Sequence, residues 1–600
     1  MTAARRYPDD MSDRGPVDDD GEGAAALVDD GGAAEHLDTT SGTEVTGTAP
    51  RGLRRVGVAI SAHPLWTVAV LVSIIAIGHA VWIWMHRSVG AYDPDEAGYI
   101  ANAFRFKRSI DPFAPWAFVR QVVTTGTGPI VPLLAVPLLL FGPDDPRTVL
   151  MVQPVLLVAL AVAVAGITRK LAGPRSAIVA GLVIATIPTV SLATQSFWLG
   201  LGAATCCAAA VLALLHSDHL RNDWVWVFGG LAGVMVMTRT MSLGFVPGMY
   251  LGALLLCRRE RASVIGLVKA VGAFLIVAAP WWIINWTGLT EYLFSYGYGP
   301  RAGLFGQGSV PERLDFRYNR IVNGVGLIVP GLIAIQLGLV TATVSVIRAR
   351  VERHEWPASS RGALAVAAIV VVGVAALVST TNNGVWFELP LIALIVALVA
   401  AAMSRSWLPF SIAACVIFAW SGLWSLGRAW WIIEPGDGQP PTATHFEDGF
   451  AQYDERFGKY RRDEHAAAAA DWADASDRIA AELASIAGTG VPPFVVMSGN
   501  MQLTNNNSVG LAAELRRSPL TITIPDTADP EAELRDVLTP FPSGDGAVEK
   551  VVVILHHDQI LFTPDERVDE FAALAGQLGW RTWAEVPLPD GGRAEILRHT

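Results

Sequence analysis

The string Tyr92-Asp93-Pro94-Asp95-Glu96-Ala97-Gly98-Tyr99 gathers the residue types best suited to chemistry in this chain. Three carboxylates within four positions repel one another. That repulsion can raise one carboxyl toward the pKa of a working base, or it can be relieved by a divalent cation. The same residues also suit a purely structural role, with Asp93 or Asp95 capping a helix that runs through EAGYIANAFRF. Residue type alone leaves both readings open, so the elements that carry the string come next.

Those elements belong to a membrane protein. The chain has 600 residues, 52% of them hydrophobic and only 16% charged, where a soluble chain carries about a quarter charged residues. A bilayer core of about 30 Å needs about 20 apolar residues per spanning helix. Segments near 64–86, 147–168, 176–195, 198–215, 224–238, 241–257, 264–287, 321–347, 362–380, 385–403 and 407–427 meet or approach that length, so about eleven transmembrane helices are expected. Basic residues follow the even-numbered spans: Arg169, Lys170 and Arg175, then Arg221, then Arg258, Arg259 and Arg261, then Arg348, Arg350 and Arg353, then Arg405. Arg51, Arg54 and Arg55 precede the first span. The positive-inside rule therefore puts the N-terminus in the cytoplasm and the C-terminus outside. Tryptophans such as Trp82, Trp84, Trp198, Trp281 and Trp386 fall at the outer ends, where amphipathic rings anchor a helix.

Three regions are expected. Residues 1–55 form an acidic cytoplasmic tail; its first fifty residues hold a net charge of −9 out of −11 for the whole chain. That tail is too poor in apolar residues to offset the entropy of ordering, so disorder is expected. Residues 56–431 form the transmembrane domain, with a long first outer loop at 87–146 that contains the proline-broken apolar stretch GPIVPLLAVPLLLFG. Residues 432–600 open with the linker EPGDGQPPT. They then alternate helix-like (DRIAAELASIAG, DERVDEFAALAGQLG) and strand-like (PFVVM, LTITI, KVVVILHH, RTWAEV) patterns, which reads as an extracytoplasmic α/β domain. The four cysteines, Cys206, Cys207, Cys257 and Cys415, lie in or at the ends of apolar segments and read as packing residues rather than a disulfide framework.

The DPDEAGYIANAF string after the first span resembles the first extracytoplasmic loop of the GT-C membrane glycosyltransferases. It is most similar to the protein O-mannosyltransferase and aminoarabinose-transferase-like group (glycosyltransferase family 39-like), which carries an Asp-Glu pair followed by a Tyr. The likeness continues in order through TGPIVPLLAVPLLLFG with Arg147, TRKLAGPRSAIVAGLVIATIPTV, GGLAGVMVMTRT and VAAPWWIINW, covering about residues 60–300. The resemblance implies an enzyme that takes a sugar from a polyprenyl-phosphate-linked donor and passes it to an extracytoplasmic acceptor, a cell-envelope glycan, lipid or protein. It implies Asp95 as the base and Glu96 beside it as the second catalytic carboxylate, orienting Asp95, binding the acceptor or sharing a metal. Asp93 and Tyr99 would contact substrate.

A departing phosphate also needs positive charge at the outer face. Arg239, which aligns with the group's Thr-Lys position, and Arg301, in the glycine-rich YGYGPRAGLFGQG, are the first candidates to bind it; Arg313, Arg317 and Arg320 follow, with Lys107, Arg108 and Arg120 in the first loop. One departure from the group stands out. The stretch Thr194-Gln195-Ser196-Phe197-Trp198-Leu199-Gly200 has no acid where one is usual, and Gly128 replaces a basic residue. A divalent cation is the one cofactor the acidic string suggests; no residues are assigned as metal ligands. The bilayer is an expected partner and nucleic acid is not. Two alternatives remain: a non-catalytic relative that binds lipid-linked glycans, and a glycolipid transporter or flippase. The latter is disfavoured by the scarcity of ionisable residues at mid-span. In the C-terminal region, Asn505 to Asn507 read as helix-capping residues or as sugar-binding ones, and His556-His557 as a strand end. His79, inside the first span, reads as a buried hydrogen-bonding residue.

Overall fold

The computed structural model describes residues 62–87, 92–299, 302, 308–325, 358–382, 384, 386–404, 408–432, 463–487, 492–501, 504–524, 531–541, 548–557, 560–561 and 565–599. The acidic tail, Arg301, the 434–442 linker and most of the expected span 321–347 lie outside them. The described residues belong to one compact unit, Val56–Thr600.

The helical part runs α1 (Pro64–His86), α2 (Pro94–Arg108), α3 (Pro115–Val123), α4 (Ile130–Phe141), α5 (Pro146–Ala172), α6 (Pro174–Thr186), α7 (Pro188–Thr194), α8 (Leu199–His216), α9 (Trp224–Thr238), α10 (Val246–Leu256), α11 (Arg261–Ile284), α12 (Trp286–Glu291), α13 (Val310–Val325), α14 (Ala358–Ser379), α15 (Leu389–Met403) and α16 (Leu408–Ala429). Many begin with proline in the first turn, where its missing N–H costs nothing. In α1 the buried residues Val68, Val72, Ala76, His79 and Ile83 recur every three or four positions, while Val70, Ile74, Ile77, Val81 and Trp84 on the opposite side are exposed. A helix apolar on both faces yet buried on one is built to turn the other toward lipid.

Among the described residues, six helices are long and apolar enough to cross a membrane: α1, α5, α8, α11, α14 and α16. The pair α6 and α7, bent by 61° at Ile187-Pro188, would make a seventh. The chain is a multi-pass membrane protein. The expected eleven is not reached, because α9, α10 and α15 are shorter apolar helices and because 326–357 lie outside the described residues. Only 33% of the apolar window of α1 and 28% of that of α11 are buried, against 72% for α5 and α8. The first two are therefore peripheral and the last two form the centre. Gln195 and His79 stitch the bundle shut: the Gln195 amide donates to the Ala429 carbonyl at 2.7 Å, and the Trp430 indole N–H donates to His79 Nδ1 at 3.2 Å.

Downstream come α17 (Asp463–Ala487), β1 (Phe494–Met497), β2 (Asn500–Met501), α18 (Asn506–Leu515), β3 (Thr521–Thr523), α19 (Glu531–Leu538), β4 (Lys550–His556), β5 (Ile560–Leu561), α20 (Asp565–Gln577), β6 (Trp580–Pro587) and β7 (Arg593–His599). Five strands form a sheet in the order β3-β1-β4-β7-β6, with β3, β1 and β4 parallel and β7 and β6 antiparallel. Strand alternation sorts the core. Val495, Met497, Val551 and Val553 pack with Ile479 and Leu483 of α17 and Val509 of α18. Val496, Val552 and Ile554 pack with Leu534 of α19 and Phe571 of α20. Helices thus cover both faces of the sheet. The four cysteines are free.

A close helix approach joins α9 and α11. A Cβ on Gly229 would lie 2.0 Å from the Ala270 carbonyl oxygen, whereas one on the neighbouring Gly230 would meet nothing within 4 Å. Small residues let helix backbones touch where no hydrophobic effect drives association. Gly229→Ala is therefore expected to destabilise the bundle by about 1–3 kcal/mol through overpacking, while Gly230→Ala is neutral. Thermal unfolding of the detergent-solubilised variants measures the difference, and equal midpoints would contradict the packing.

Candidate functional site

α1 ends at the buried Arg87, and the chain re-enters a helix at Pro94. Asp93 is the N-cap of α2: its Oδ1 accepts the Asp95 N–H at 3.1 Å. It thus takes the capping role its residue type allowed, since the first-turn N–H groups of a helix need an acceptor. Glu96 is 1% exposed. Its Oε2 accepts from Arg87 Nη2 at 2.7 Å, and its Oε1 accepts the Phe197 N–H at 2.7 Å. With both oxygens engaged and buried, Glu96 ties the first turn of α2 to the end of α1 and to the turn before α8. The Arg87 guanidinium also lies 4.8 Å from the Tyr92 ring centre, and burial pushes the Tyr92 phenol above its ordinary range.

This arrangement answers the missing acid. The turn Ser196-Phe197-Trp198 carries none of its own, yet a carboxylate sits on it, delivered from α2 by Glu96. The neighbour Asp95 is swung about 100° around the helix. It is exposed.

Tyr99 lies one turn beyond Asp95, its ring edge-on to Trp198 with centroids 6.3 Å apart. Its phenol is raised well above the ordinary range, first by burial and then by the Asp95 charge, with Arg239 opposing. Arg239 ends α9 in extended backbone and stacks on Phe387, guanidinium carbon to ring centre 4.0 Å. Burial pulls its pKa down, while Tyr99, Tyr292, Asp95 and Glu388 all favour its charge. Tyr292, beyond α12, is raised by desolvation and again by Asp95. Asp95, Tyr99, Arg239 and Tyr292 thus form one electrostatic group: an exposed carboxylate, a guanidinium and two phenols that keep their protons.

Phe387, Glu388 and Tyr292 escape sequence reasoning. Glu388 is a charge at the head of the apolar run LPLIALIVALVAAAM, and an acid in that position is costly enough to have drawn attention. It is 1% exposed and pairs with Arg317, also 1% exposed, with Arg320 Nη1 at 3.9 Å. Arg320 also donates to the Gly384 carbonyl at 3.0 Å. Arg317 and Arg320 are therefore buried partners of Glu388. Arg313 donates to the Val378 carbonyl at 2.8 Å. Lys107 pairs with Asp144 and Arg108 with Glu514, while Arg120 is exposed. Asn505 caps α18 in a reciprocal box with Ser508. Among the described residues, no group of three or more His, Cys, Asp or Glu could hold a metal ion.

Beside this site, an apolar cavity of about 320 Å³ opens between α6, α13, α14, α15 and α16. Val183, Ile321, Val374, Val399 and Phe418 line it, with Arg317 among the few polar residues at its wall. Arg317 also lies 5.9 Å from the centre of the Phe387 ring on which Arg239 stacks.

No protein-family model matches the sequence, and no curated protein matches it. Among solved structures, the chain is similar to ArnT from Cupriavidus metallidurans bound to undecaprenyl phosphate, at 13% identity and a TM-score of 0.48, over 87% of this chain and 97% of that one. The apo state of the same protein gives a TM-score of 0.49 over the same shares, also at 13% identity. The Archaeoglobus fulgidus oligosaccharyltransferase in its apo form is similar at 13% identity and a TM-score of 0.45, over 82% of this chain and 69% of that one. These structures are GT-C fold glycosyltransferases, the group whose first-loop motifs this sequence resembles.

Proposed function

We propose that the chain is a membrane glycosyltransferase that moves a sugar from a polyprenyl-phosphate-linked donor to an acceptor outside the membrane. The observation that carries this reading is that the exposed Asp95 carboxylate and the Arg239 guanidinium, stacked on Phe387, lie within reach of each other's charge, with Tyr99 one helical turn from Asp95. Asp95 takes the proton of the acceptor hydroxyl or amine as its lone pair attacks the anomeric carbon. The bond from that carbon to the phosphate oxygen breaks, and its electron pair leaves with the phosphate. The leaving group is already an anion of a strong acid, so no general acid is needed; a fixed guanidinium suffices to hold the charge that develops. Arg239 is held by its stack on Phe387. Tyr99 and Tyr292, kept protonated, can donate hydrogen bonds to phosphate or sugar oxygens.

The aliphatic walls of the cavity beside Arg317 support a polyprenyl chain as the donor's anchor. The acceptor class, a cell-envelope glycan, lipid or protein, and a cell-membrane location with the C-terminal sheet outside complete the proposal. A relative that binds lipid-linked glycans without turnover is the reading left by the burial of Glu96, which leaves Asp95 as the exposed acid of the pair.

Asp95→Asn keeps size and polarity but removes the base. It is expected to lower sugar transfer by at least about 100-fold with donor binding and thermal midpoint retained. Undiminished transfer would sink the assigned role, and a wild type that binds donor without turnover would favour the binding-only relative. Arg239→Met should cost a comparable factor, about 100- to 1,000-fold in kcat, read in the same assay at saturating donor. For orientation, single cysteines replace the exposed Glu570 and Arg259 in a background free of native cysteine. A membrane-impermeant maleimide added to intact cells should label the first and spare the second; the reverse pattern would invert the topology.

A further inference from the structure

Glu514 has no electrostatic reason to stand where it does within its own helix. It lies next to the last residue of α18, where the helix dipole disfavours an acid, and its side chain is 0% exposed. Its partners are both on α2. The Arg105 Nε donates to Glu514 Oε1 at 2.7 Å, and Arg108 forms a second ion pair with the same carboxylate. The two arginines end α2, the helix whose first turn carries Asp95, and there the dipole favours cations. Leu511, one turn earlier on α18, is buried in the same apolar cluster as the transmembrane helices.

The junction continues toward the site along two lines. At the other end of α18, Asn507 rests on Gly98, where an added Cβ would come 3.0 Å from the Asn507 Cγ. Gly98 belongs to the turn of α2 between Asp95 and Tyr99. From Arg105, Nη1 donates to Asn102 Oδ1 at 3.2 Å, and the Asn102 amide donates to Thr127 Oγ1 at 3.0 Å. The next residue, Gly128, lies so close to α9 that a Cβ there would fall 2.0 Å from the Thr238 carbonyl, beside Arg239. This is also why Gly128 stands where a basic residue is usual: the backbone approach leaves no room for a side chain.

We infer that α18 is a positioning element for the Asp95–Arg239 site, and that Glu514 is the positioning residue that holds it on α2. The inference rests on the glycosyltransferase reading for its kinetic consequence, though not for its structural one. A buried carboxylate that accepts from Arg105 and ion-pairs with Arg108, whose Nη1 also donates to the Glu514 carbonyl at 2.5 Å, restrains the rotation and depth of α2. Loosening it frees α2 to roll, and Asp95 and Arg239 then lose their common register. A shift of about 1 Å at such a site can cost as much as 100-fold in rate.

The test uses the full-length protein in nanodiscs with a synthetic polyprenyl-phospho-hexose as donor. Glu514→Gln should lower kcat by about 10- to 100-fold with the donor KM changed less than about twofold, since the site is misaligned rather than emptied. Amide hydrogen exchange should quicken across residues 94–108 and stay unchanged in β1 and β4. Gly98→Leu, which levers α18 away from α2 without touching a charge, should give the same kinetic split and the same exchange pattern. Unchanged kcat in both variants overturns the inference. So does faster exchange spread through β1 and β4, which would make Glu514 a stabiliser of its own sheet. Should the wild type turn over no sugar, the glycosyltransferase reading fails by itself. The exchange result then stands alone: quickening confined to 94–108 sustains the coupling and its absence overturns it.

Discussion

Glu96 carries its charge into the protein interior, where an unmatched ion costs several kcal/mol, and two donors match it. Arg87 comes from the end of α1, and the Phe197 N–H comes from the turn between α7 and α8. Three separate elements thus converge on one carboxylate. The N-terminus of α2 can occupy no other position without leaving a charge or an N–H unsatisfied, so the direction in which Asp95 points follows from its neighbour. The buried acid that does the holding and the exposed acid beside it are adjacent in sequence and differ in which side of the helix they take.

A second buried charge sets the opposite wall. Glu388, with Arg317 and Arg320 around it, anchors the turn before α15 that presents Phe387. Trp386 in that turn adopts a positive φ of 66°, a conformation unfavourable for a bulky residue that its buried packing enforces. The Phe387 ring then offers its face to Arg239. Both walls follow one scheme, an inaccessible ion pair that orients an aromatic or a helix turn, which in turn places a group with chemical potential.

Much of this was legible in the residues. Apolar run length marks the helices, and the ends of α1, α8, α9 and α16 fall within a few residues of the expected spans, because a helix facing lipid must satisfy its backbone internally and cannot stop midway. The short, β-branched apolar runs PFVVM and KVVVILHH marked strands buried on both faces. The capping option for Asp93 and Asn505 was visible in their type and position. The span count was less legible, since α9, α10 and α15 are apolar but short, and length thresholds treat them ambiguously.

What the sequence determined by itself is the membrane class, the positions of most helices and strands, and the acidic string as the place to look. These depend on hydropathy and local backbone chemistry, which act over a few residues. Only the tertiary structure decided that Glu96 is buried in an ion pair while Asp95 is exposed, that Arg317 and Arg320 serve Glu388, and that Glu514 reaches α2. Each of those outcomes turns on a partner far away in the chain, nine residues off for Arg87, 71 for Glu388 and 409 for Glu514. A buried charge is defined by what meets it after folding, and nothing in its immediate neighbours announces that partner.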